Sequence, residues 1–84
     1  MTDTKPSPIE VWLSQTNMII TCMVVYEDES TEELDITSLS MRGAQREITG
    51  HYIGQGYVPV GRWEVESDPD RGGYGETVRR FKLK

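Results

Sequence analysis

Eighty-four residues with one cysteine, one histidine and a net charge of −5 set tight limits on this chain. A domain this short buries only about 60–65% of the surface its unfolded form exposes, so its core is marginal. Cys22 has no partner for an internal disulfide, and Cys22 with His51 supplies too few ligands for a structural zinc site, which leaves oligomerisation as the supplement.

No apolar run approaches the ~20 residues of a spanning helix, and the polar start, Met1 to Pro8, lacks a signal-peptide stretch. A lone thiol suits a reducing compartment, so a cytoplasmic location is expected, with no membrane partner. The charge is unevenly spread. Residues 1–41 carry eight acidic side chains against Lys5, whereas residues 42–84 carry eight basic and six acidic ones. Overall acidity repels nucleic acid at long range but leaves room for a local basic patch.

Met1 to Pro8 reads as a disordered tail, being polar with two prolines. From Ile9 the pattern alternates: Ile9, Val11 and Leu13 share one parity, Glu10, Trp12 and Ser14 the other. Ser14 to Asn17 supplies turn residues, and Met18 to Tyr26 is β-branched and apolar, so a β-hairpin is expected. Its second strand is apolar on both faces: Ile20, Cys22, Val24 and Tyr26 against Ile19, Met23 and Val25. Such a strand is either covered on both sides or internal with a half-exposed reverse face.

Glu27 to Asp35 holds six carboxylates in nine positions and is expected to be an exposed loop or helical turn. It lacks the register of a calcium loop, so no metal is assigned to it. Thr37 or Ser38 can cap a helix running to about Ile53, with Met41, Ala44, Ile48 and Tyr52 in one stripe. Gly43, Gly50 and Gly54 fall together on its other side. Either the helix is shorter than this, or something packs closely there. Gly54-Gln55-Gly56 ends it, and Tyr57 to Glu66 forms a strand. Val58 and Val60 differ in parity from Trp63 and Val65, which calls for a bulge at Gly61 that restores one core face. Pro59 argues for an edge position. A turn-rich loop, Ser67 to Gly75, leads into a last strand, Glu76 to Leu83, with Phe81 and Leu83 on one face. The predicted fold is α+β, in the order β-β-α-β-β, as one domain over residues 9–84.

Known catalytic and cofactor patterns are not matched. The Gly54-x-Gly56 element leaves a helix and enters a strand, the reverse of a dinucleotide loop, and no Walker-type Gly-Lys-Ser/Thr occurs. Cys22 in an apolar strand reads as a core residue, not as the partner of His51 in a dyad. A non-enzymatic protein without a cofactor is therefore expected. Two surfaces stand out. Trp12, Ile19, Met23 and Val25 form an apolar set that marks self-association, as a homodimer, or another protein contact. Arg62, Trp63, Arg71, Arg79, Arg80 and Lys82 form a basic and aromatic set that suits a partner or nucleic acid. Glu64, Glu66, Asp68, Asp70 and Glu76 dilute the second set, so nucleic-acid association is the alternative reading. A small-ligand binder or enzyme is the third.

Tyr52-Ile53-Gly54-Gln55-Gly56-Tyr57-Val58-Pro59-Val60, followed by Arg79-Arg80-Phe81-Lys82, resembles small uncharacterised bacterial domains. In those a helix ends at Gly-Trp/Tyr, enters a valine-rich strand and closes with an aromatic-basic strand. The resemblance covers roughly the last 40 residues and implies the fold, with no activity to carry over; the N-terminal hairpin departs from it.

Overall fold

Strands Ile9–Thr16 (β1), Ile19–Val25 (β2), Thr31–Leu34 (β3), Tyr57–Ser67 (β4) and Tyr74–Leu83 (β5) join helix Met41–Gly54 (α1) in a computed structural model that describes residues 9–16, 19–67 and 74–84. The strands make one antiparallel sheet in the order β3-β2-β1-β5-β4, an α+β fold with α1 packed on one face. The expected disordered tail and the Arg71-containing loop lie outside the described residues.

Alternation decides which side chains meet the helix. Ile9, Val11 and Leu13 of β1 are buried, as are their register neighbours Val24, Cys22 and Phe81. Against them α1 sets Ala44, Ile48 and Tyr52, the expected stripe, while Met41 packs at its start. Tyr52 stands edge-on to Tyr57 and tilted to Phe81, each with centroids 5.4 Å apart, a spacing typical of favourable aromatic pairs. Phe81 has no exposed surface, and burying it contributes about 1.5–3 kcal/mol.

The helix begins later than expected. Ser40 is the N-cap, its hydroxyl accepting the Gly43 N–H at 3.1 Å. Thr37 and Ser38 instead bind the Glu47 carboxylate, with both backbone N–H groups and both hydroxyls donating to it at 2.8–3.3 Å. At the other end Gly56, with φ +92°, provides the left-handed residue of the exit. The glycine side of the helix is open: nothing lies within 4 Å of where a Cβ on Gly50 or Gly54 would sit. Only Gly43, close to the cap, has neighbours, Ser38 and Ser40 at 3.1 Å.

Two expectations are corrected. The acidic connector is not all loop. A turn, with Glu29 at φ 71° and its N–H bonded to the Tyr26 carbonyl, leads into β3, which pairs Leu34 with Cys22 and Glu32 with Val24. Four residues with one inward leucine suffice for an edge strand, and the exposed carboxylates Glu32 and Glu33 suit an edge because they discourage further pairing. The second correction concerns β4. A bulge does lie at Gly61, φ +73°, but β4 advances four residues (Val60 to Glu64) while β5 advances two (Arg80 to Val78). Two extra residues preserve parity. Tyr57, Pro59 and Trp63 therefore stay on the helix side, and Val58 and Val60 lie on the other face. Pro59 does sit on an edge strand, as its missing N–H requires.

Among the described residues, no helix is long and apolar enough to cross a membrane.

Candidate functional site

One helix covers one face of five strands, and among the described residues no element covers the reverse, open face. By register it carries Glu10, Trp12 and Ser14 from β1, Ile19, Met23 and Val25 from β2, and Glu76, Val78, Arg80 and Lys82 from β5. The apolar set read from the sequence thus comes together. Trp12 is the Cα partner of Met23 on one side and of Val78 on the other. Ile19 is 69% exposed and Met23 43%, while Val25 and Trp12 are half-buried. β2 is the internal strand with a half-exposed reverse face.

Several polar groups on this face partner one another, and Glu33 and Glu64 flank it as the Cα partners of Met23 and Val78. Trp12 Nε1 donates to Glu10 Oε1 at 2.6 Å, and Arg80 Nε donates to Glu10 Oε2 at 3.2 Å. Ser14 Oγ donates to Glu76 Oε2 at 3.3 Å. Glu10 therefore holds both the indole edge and the guanidinium, fixing the orientation of Trp12.

Sequence reasoning missed Val78 and Val60. Val78 is only 8% exposed although it lies on the open face, and it lines a hollow of about 300 Å³ with Trp12, Val60 and Gly61 and with the charged side chains Glu10, Arg62, Glu64, Glu66, Arg79 and Arg80. The signal was available for Val78, whose parity opposes that of Phe81 and Leu83 along β5. For Val60 the two-residue bulge hid it.

The basic and aromatic set is brought together only in part: Arg62, Arg79 and Arg80 all border the hollow, and Trp63 meets Arg79 at Thr49 Oγ1. Arg79 lies on the helix side, its Nε and Nη2 donating to the Gly61 carbonyl at 3.1 and 2.8 Å and its guanidinium 5.9 Å from the Phe81 ring centroid. Trp63 is on that side too, with Nε1 donating to Thr49 Oγ1 at 3.4 Å. Arg80 and Lys82 face the opposite way, and Arg62 borders the hollow. Arg71 lies outside the described residues.

No protein-family model matches the chain, and no curated protein or solved structure does.

Other reactive side chains have structural surroundings. Burial, reinforced by the Glu47 charge, pushes the Cys22 thiol up to about 12, which keeps it protonated. His51 is exposed and shares a 3.0 Å hydrogen bond with Gln55. In the acidic turn, Asp28 Oδ1 accepts from the Ser30 N–H and hydroxyl, which holds its carboxyl below the usual range, and Glu32 accepts from the Tyr26 hydroxyl. Among the described residues no three His, Cys, Asp or Glu side chains converge to hold a metal ion.

Proposed function

We propose that this chain is a small non-enzymatic interaction or regulatory module of the cytoplasm, self-associating through the open face of its sheet. The observation that carries the reading is the apolar set Trp12, Ile19, Met23 and Val25, which no described element covers on a sheet whose other face α1 already occupies. Exposed apolar surface concentrated in one patch marks a contact site.

Size favours a second copy. Five strands at ~4.8 Å spacing and about 20 Å of strand length give a flat face of about 500 Å² per copy. A pair then buries about 1,000 Å², the lower bound for a specific interface, which suits a reversible dimer. Both copies carry −5, so apolar contact must overcome mutual repulsion, and added salt should strengthen the dimer. Binding through the basic hairpin would weaken with salt instead. That alternative has less support, because Arg62, Arg79 and Arg80 share the hollow they border with Glu10, Glu64 and Glu66.

Sedimentation equilibrium at micromolar to hundred-micromolar concentration tests the reading. The wild type should dimerise, and Met23→Glu should be a folded monomer with an unchanged circular dichroism spectrum. A wild-type monomer throughout, or an unaltered dimer in both Met23→Glu and Trp12→Glu, would overturn it.

A further inference from the structure

We infer that the two copies pair about a two-fold axis parallel to β1 at Trp12, so that Met23 of each copy enters the hollow over Val78 of the other; this rests on the self-association reading. Register supplies the geometry. Met23, Trp12 and Val78 are Cα partners along one line across β2, β1 and β5. Rotation about an axis running along β1 exchanges the two sides of that strand. It lays β2 of one copy over β5 of the other and Met23 opposite Val78, both ways at once, as an isologous interface requires.

Shape chooses between the two-folds available to facing sheets. An axis perpendicular to the strands, laid over the Met23–Trp12–Val78 line, would set Met23 against Met23 and hollow against hollow, opposing two projections and leaving two voids. The parallel axis sets each projection, Met23 at 43% exposed, into a concavity lined in part by Val78 at 8%. Interiors and stable interfaces pack without voids, and an unbranched thioether adapts readily to an irregular hollow. The twist of stacked sheets, about 30°, displaces a neighbour one strand from the axis by roughly 2.5 Å, less than one residue's rise. The match therefore survives aligned sheet packing.

Two variants that each add one cysteine, Met23→Cys and Val78→Cys, treated with a short bismaleimide, test the pairing. Cys22 is buried and should stay silent, with the wild type as the control. A 1:1 mixture should cross-link to a dimer far more completely than either variant alone, and the cross-linked chains should be one of each kind. Stronger cross-linking of Met23→Cys with itself, or a dimer by sedimentation that neither variant nor their mixture captures, overturns this pairing and leaves self-association standing. A monomeric wild type overturns both.

Discussion

Arg79 and Arg80 are neighbours in the chain and lie on opposite faces of the sheet: Arg79 grips the Gly61 carbonyl beside the helix, and Arg80 meets Glu10 on the open face. Arg79 thereby fastens the irregular part of β4 to β5, where the regular ladder is interrupted between Val60 and Glu64. Arg80 belongs to an exposed ion pair whose arginine side chain is 70% accessible. Arg79→Ala should cost about 1–3 kcal/mol, as for a lost charged hydrogen bond. Arg80→Ala should change stability by less than about 1 kcal/mol. Urea unfolding of the two variants checks this, and equal losses would contradict the assignment.

Two glycines should respond in opposite directions. Gly50 lies inside α1 with open space around its Cβ position, so Gly50→Ala should stabilise by about 0.5–1 kcal/mol. Gly61 also has open space but holds φ +73°, so Gly61→Ala should destabilise by about 1–2 kcal/mol through backbone strain alone. Thermal unfolding of both variants decides. A destabilised Gly50→Ala would mean that the helix's outer side packs against something.

The Cys22 thiol should resist labelling in the native state. Its ionisation is held back by burial first and by Glu47 second, from an ordinary 9.0 to about 12. Because the folded value is raised, the associated stability is full below pH 9 and is lost as pH rises toward 12. A thiol reagent at pH 8 should react only as fast as the protein unfolds. Rapid stoichiometric labelling under native conditions would refute this.

Glu47 should contribute acid sensitivity. Its carboxylate accepts from Ser38 and Thr37, which lowers its proton affinity below the ordinary 4.5. That stabilisation is present above pH 4.5 and is lost as pH falls through the lower, folded value. Glu47→Gln should be less stable at neutral pH and show a shallower loss of stability on acidification. An unchanged acid transition would show that the bonds to the connector are worth little.

Much of this architecture can be read from alternation and periodicity. The stripe of Ala44, Ile48 and Tyr52 and the opposite parity of Trp12 place the helix and both faces correctly, because burial against a sheet enforces those periods. β3 escapes detection because Thr31-Glu32-Glu33-Leu34 has one apolar residue, and its pairing with β2 decides its state more than its own composition does. The bulge at Gly61 is announced by its glycine, but not its size, and one extra residue or two reverses which valines face the core. The basic cluster looks continuous only when the chain is read linearly; a strand's period of two divides it in part.

The central strand β1 is hydrogen-bonded on one side to the strand that follows it and on the other to residues about seventy positions away, Ile9 opposite Phe81. Closing so long a loop costs roughly 2.5 kcal/mol more chain entropy than closing a four-residue hairpin. β1, β2 and β3 can therefore pair early, whereas the core waits for Phe81, and folding should be slow for so small a chain. During that wait both apolar sides of β2 are without cover. Productive assembly and aggregation consequently compete for the same side chains, and the speed with which β5 arrives sets the balance between them.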